Sequence, residues 1–233
     1  MHISDGVRTL DRDLHDVFGA RLRSVVVYGA ARETDRVLTP TLAVVDGVTA
    51  ADLRACASRV AAWHEAGLAT PLLLAAHEFS RSLEAFPFEF GAILADHAVV
   101  SGVNPFDGLR VERSDLRRAC EVQARSHLLH LREGFIETEG RGDALADLIA
   151  RSAGALASLV KSVARLLNES AADAAASARH VERALGLTSG SLAGIVSRSP
   201  RAPLSSDEAR RLFPGYLDAS ERLASFVDKW SAA

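Results

Sequence analysis

Lysine, cysteine and aromatic residues are scarce in this chain, and each scarcity narrows what it can do. Lys161 and Lys229 are the only lysines, so arginine carries nearly all of the positive charge. Lys and Arg together number 27 against 30 Asp and Glu, a formal net charge of −3. That balance supplies no concentrated positive face of the kind a reader of nucleic-acid backbones requires, so nucleic acid is not an expected partner. Cys56 and Cys120 are the only cysteines, with no second Cys or His at metal-ligand spacing. Both fall in helical patterns and read as reduced, buried small hydrophobes.

Long apolar runs are also missing. No segment approaches the ~18 continuous apolar residues that span a bilayer, and no basic stretch followed by an apolar one opens the chain. A cytoplasmic location without a membrane partner is the expectation. His64, His77, His97 and His180 are scattered without the spacing that tetrahedral metal sites use. The H-E-x-x-H, P-loop and G-x-S-x-G patterns do not occur, which removes the chemistry each of them carries.

What is present is ordinary globular material, 48% hydrophobic and 24% charged over 233 residues. That length permits a sizeable core in one large domain or two small ones. Spaced apolar positions at Val7, Leu10, Leu14 and Phe18 predict an amphipathic helix over 5–21. Leu22 to Tyr28 and Leu42 to Val45 predict buried strands, the second stopped by Asp46-Gly47. Thr49 is the expected cap of a helix from Ala50 to His64, and Gly67 its terminator. Pro71 to Ala75 is an expected strand and Ala76 to Leu83 a short helix. Phe90 to Leu94 and Ala98 to Val100 are expected to add to the sheet. From Ser114, a predicted cap, the period becomes helical and stays so: a helix through Phe135, then Ala144 to Leu167, 169–185, Ser191 to Val196, and a last helix capped by Ser206.

The apolar strand Val25-Val26-Val27-Tyr28, its turn Gly29-Ala30, a polar loop and the next strand opening at Thr39-Pro40-Thr41 resemble the start of the nucleotidyltransferase fold. Phe86-Pro87-Phe88-Glu89-Phe90, Val99-Val100-Ser101-Gly102 and Cys120-Glu121-Val122-Gln123-Ala124-Arg125…Leu131-Arg132 resemble the FP-x-E-F, L-x-G and CE-x-x-x-R…LR pieces of a bacterial group. That group is similar to nucleotidyltransferases with an appended helical bundle, like the C-terminal half of kanamycin nucleotidyltransferase and the HEPN proteins. The resemblance implies an α+β fold: a nucleotidyltransferase-like α/β sheet domain over 1–113 and an all-α helical bundle over 114–233. It also implies a cleft between the two that holds a nucleotide or small molecule, and self-association as a homodimer.

In the active family a Gly-Ser turn holds the triphosphate, and an Asp-x-Asp pair with a third carboxylate chelates two divalent ions. Here the Ser position is Ala30 and the two aspartate positions are Thr39 and Thr41. Neutral hydroxyls are poor ligands for hard cations. Glu89 is the candidate third carboxylate, and Glu33 and Asp35 in the loop are substitute ligands if transfer with magnesium is retained. Without it, Gly29, Ala30, Thr39 and Thr41 would contact a ligand through backbone N–H groups and hydroxyls. Arg125-x4-His130 fits the loose Arg-x4–6-His pattern of HEPN ribonucleases, although five helical residues rotate ~140° and set the two side chains apart. His127, on the apolar stripe, reads as a core histidine with one hydrogen bond. The leading expectation is a catalytically inactive nucleotidyltransferase-like binding or interaction module with no resident cofactor. The alternatives are a transferase with an atypical ligand set and a HEPN-like ribonuclease or toxin component.

Overall fold

The computed structural model describes residues 4–29, 38–169, 173–198 and 204–230. The fold is α+β, and the chain divides into two compact units, Met1–Val111 and Glu112–Ala233.

The first unit is built on a four-stranded sheet of β1 (Leu22–Tyr28), β2 (Thr41–Val45), β3 (Leu72–Ala75) and β4 (His97–Gly102). The strand order is β3-β2-β1-β4, with β1 antiparallel to both neighbours and β2 parallel to β3. Val25, Val26, Leu42, Ala43 and Val45 are all fully buried. Consecutive apolar residues are what a sheet covered on both faces requires.

One face carries α1 (Asp5–Phe18), α2 (Ala50–Ala57) and α3 (Val60–Glu65). Their Val7, Leu10, Leu14, Phe18, Cys56 and Trp63 pack with Val25, Ala43 and Val45. Trp63 donates from its indole Nε1 to Asp13 Oδ2 at 2.7 Å, which satisfies its one buried polar atom. The other face carries α4 (Phe79–Ala85) and α5 (Pro87–Ala95). Phe79, Leu83, Phe90, Ile93 and Phe106 pack there with Val26, Leu42, Val44 and Leu74.

Several expected boundaries move, each for a local reason. The stretch Phe90 to Leu94 is helix α5, not strand. Pro87 sits at its first position, where a fixed φ and a missing N–H suit a helix start. Its buried residues Pro87, Phe90, Gly91 and Ile93 recur at three- and four-residue spacing, so the apolar period there is helical. The helix expected over 50–64 breaks at Ser58 and Arg59 into α2 and α3. The first helix ends at Phe18, followed by a 3-10 turn over Gly19–Arg21.

The second unit is all helix: α6 (Arg113–Glu137), α7 (Gly142–Leu166), α8 (Ala174–Leu185), α9 (Ala193–Val196) and α10 (Ser206–Lys229). Its core includes Leu116, Cys120, Leu131, Ile149, Leu156, Val160, Val181, Phe213, Tyr216 and Leu223. The caps are displaced from those expected. Glu112, not Ser114, stands at the N-cap of α6, and Asp173 caps α8. Ser205, not Ser206, closes a capping box with Glu208 at the start of α10. Trp230 stands at the far end of α10, with the Arg113 guanidinium 5.1 Å from its ring centroid. No helix among the described residues is long and apolar enough to cross a membrane.

The start of α2 is pinned by an ion pair. Arg21 donates to both carboxylate oxygens of Asp52, at 2.9 and 2.7 Å, and Asp52 also accepts from the backbone and hydroxyl of its own cap Thr49. The Arg21 hydrogen bond first, then those from Thr49, hold the Asp52 carboxyl well below the usual range. A carboxyl lowered in the folded state stabilises above its unfolded value near ~4 and loses that contribution as pH falls through that range. The urea midpoint of Asp52→Asn should therefore lie below the native midpoint by a constant amount above about pH 5. The gap should close as the pH drops below about 4, in parallel urea titrations.

Candidate functional site

The β1–β2 corner is where the sequence places its ligand-contacting residues. Gly29 leaves β1 with φ of 62°, in the left-handed region, and its N–H already donates to Asp96 O at 3.0 Å. Thr39 is tied into the sheet by its backbone, donating to Gly67 O at 2.8 Å and accepting from Ala69 N at 2.9 Å. Thr41 pairs with Val27 across β1 and β2. Its side chain is 1% exposed and its Oγ1 has no hydrogen-bond partner among the described residues. Strand alternation puts Thr41 on the same face as Ala43 and Val45, the face covered by α1, α2 and α3.

Glu89 lies in the first turn of α5 and is exposed. Thr39, Thr41 and Glu89 therefore do not meet across adjacent strands, which the matching of Glu89 to a third carboxylate required. Ala30, Glu33 and Asp35 lie outside the described residues. The donors that are described do not fit a pair of magnesium ions. Two are neutral hydroxyls, one of them sealed in an apolar layer, and the carboxylate stands on a different element. Among the described residues, no group of three or more His, Cys, Asp or Glu is placed to hold a metal ion.

In the helical unit, Arg125 and His130 are occupied separately. Arg125 pairs with Asp228 at 3.0 Å and with Glu121 at 3.3 Å, and Asp228 in particular raises its pKa. His130 is 75% exposed on its side chain and meets Glu133 at 3.1 Å. The two are on the same helix but share no partner, as their spacing predicted.

A different histidine is built into the interior. His127 Nε2 lies 2.7 Å from the Tyr216 hydroxyl, which lies 3.0 Å from Ser152 Oγ, and Ser152 donates to Ile149 O at 2.8 Å. Proton accounting fixes the direction. The single Ser152 proton is spent on the carbonyl, so Ser152 accepts from Tyr216, and Tyr216 accepts from His127 Nε2–H. Burial, followed by the charge of His130, lowers the His127 pKa to about 4, so the ring is neutral near pH 7. Burial likewise raises the Tyr216 pKa, which keeps the phenol protonated. His127 lines an open cavity of about 360 Å³ between α6 and α7. Sequence periodicity placed His127 and Tyr216 on apolar stripes, but nothing in it linked three residues on three helices.

The sheet unit followed by a helical unit gives the chain a nucleotidyltransferase-like fold. No protein-family model matches the chain, and no curated protein sequence matches it. Among solved structures it is similar to spectinomycin adenyltransferase AAD(9) from Enterococcus faecialis, determined with ATP and spectinomycin. The TM-score is 0.60 at 9% identity, over 94% of this chain and 98% of that one. At that identity the likeness is one of fold.

Proposed function

We propose that this protein is a nucleotidyltransferase-like binding module that has given up metal-dependent nucleotidyl transfer. The observation that carries the reading is Thr41. At the position that the resemblance matches to a metal-binding aspartate stands a neutral side chain, 1% exposed, whose hydroxyl has no partner among the described residues. A cation there would have to be stripped of water with no anionic oxygen in return, which costs several kcal/mol. Glu89, exposed in the first turn of α5, supports the same reading, because it is not on a strand beside Thr41.

A nucleotide is the favoured ligand. The likeness to a protein determined with ATP and spectinomycin supports that class. The test is calorimetric unfolding with each nucleoside triphosphate, with and without magnesium. A ligand at 100 times its dissociation constant raises stability by ~2.7 kcal/mol. The expected result is a shift from at least one triphosphate that persists in EDTA and survives Glu89→Ala. A shift that needs magnesium and disappears in Asp35→Ala would overturn the reading in favour of transfer chemistry with loop ligands. No shift with any triphosphate would remove the nucleotide.

A further inference from the structure

We propose that the groove between α6 and α7 is a second binding site, for an elongated organic amine with an apolar body and a hydrogen-bond donor at its far end. The site lies wholly within the helical unit and is independent of the β1–β2 corner.

The groove has the make-up of a small-molecule site: about 360 Å³, an apolar floor and a few convergent polar groups. Leu131 and Leu159, each 2% exposed, form the floor with Leu148. Small residues open it, since Ser152 and Ala155 on α7 stand opposite the long side chains of α6.

At one end is His127. The chain Ile149–Ser152–Tyr216 fixes its tautomer with the proton on Nε2, so Nδ1 is an acceptor held in place. That Nδ1 has no hydrogen bond among the described residues. At the other end are Glu133 and Glu137, facing a single cation, Arg151. Glu133 is engaged only by exposed His130, and Glu137 makes no ion pair among the described residues. The excess charge at that rim is negative.

Glu133 stands six positions after His127 on α6, a rise of ~9 Å along the helix axis. A ligand that satisfies both ends carries an ammonium group and a donor hydroxyl or N–H at about that separation, with an apolar segment lying over the leucines. Tyramine has this layout. Its ammonium meets the glutamates, its ring covers Leu131 and Leu148, and its phenol donates to His127 Nδ1.

The test uses the full chain and three probes observed by NMR: tyramine, phenethylamine without the hydroxyl, and 3-(4-hydroxyphenyl)propionate with the charge reversed. Tyramine should saturably shift the His127 ring and the Leu131 and Leu148 methyl signals. The propionate should bind about tenfold more weakly, and phenethylamine about threefold. Glu133→Gln with Glu137→Gln should weaken tyramine about fivefold while leaving the unfolding midpoint unchanged. Ala155→Phe, on the exposed side of α7, should fill the groove and abolish the shifts without touching the His127 chain. Equal binding of all three probes would reduce the groove to an unspecific apolar surface and overturn the proposal. So would the absence of any shift at His127.

Discussion

Replacing Gly102 by alanine should lower folding stability by about 2–4 kcal/mol, read as a fall in urea midpoint at unchanged slope. Gly102 ends β4 at φ of 78° and pairs with Ser24 of β1. A Cβ placed there would stand 2.1 Å from the carbonyl oxygen of Arg23 and 2.9 Å from both Arg23 C and Ser24 Cα. These are backbone atoms of the neighbouring strand, so no rotamer change relieves them. The strand must either move or lose its last pair. Gly108 separates the two contributions: its φ is 71°, and a Cβ there meets nothing within 4 Å. Gly108→Ala should therefore show only the left-handed conformational cost of roughly 1 kcal/mol. If Gly102→Ala were no worse than Gly108→Ala, the close approach of β4 to β1 would be wrong.

The second large effect is expected at Glu182. This carboxylate is 2% exposed and accepts three backbone N–H groups, from Leu192 and Ala193 at 2.7 Å each and from Gly190 at 3.1 Å. It thereby organises the turn between α8 and α9. Its own carbonyl closes α8, accepting from Leu187 N across left-handed Gly186. Glu182→Ala removes all three bonds and leaves buried donors unsatisfied, a loss of roughly 3–5 kcal/mol. Glu182→Gln keeps one acceptor oxygen and should fall between the two. Hydrogen exchange at the Leu192 and Ala193 amides gives the local reading: both should lose protection in the alanine variant before the core of α7 does. Retained protection there would show that the loop is held by something other than the carboxylate.

The sequence made the α+β fold legible because its patterns were long. Three consecutive valines bounded by Gly29 read as a covered strand, and β1 spans Leu22–Tyr28 as read. The helical stretch after residue 113 was legible from a sustained 3.6-residue apolar period. The misreading at Phe90 came from a short segment, where alternating Phe86, Phe88 and Phe90 imitate a strand and only Pro87 argues for a helix start. The Gly102 contact and the Glu182 bonds were not legible at all. They join Gly102 to Arg23 and Glu182 to a turn eight or more residues on, and no local period records such pairings. The candidate ligand corner was named from Gly29, Thr39 and Thr41, yet the burial of Thr41 depends on which helices cover its face. His127 was read correctly as a histidine with one hydrogen bond, but its place in a directed chain ending on a main-chain carbonyl required three helices to be assembled.

The chain's only two tryptophans are divided between the two units, and their surroundings differ. Trp63 is 1% exposed and bonded to Asp13, whereas Trp230 is partly open at a helix end beneath a guanidinium. The protein therefore carries two intrinsic fluorophores with separable signals. Trp63 emits from an apolar setting that dissolved quenchers cannot reach, and Trp230 from one they can. Trp230→Phe leaves a chain whose emission reports the sheet unit alone, and Trp63→Phe one that reports the helices. Loss of structure in the sheet unit and in the helical unit can thus be followed separately in a cuvette, with no label attached.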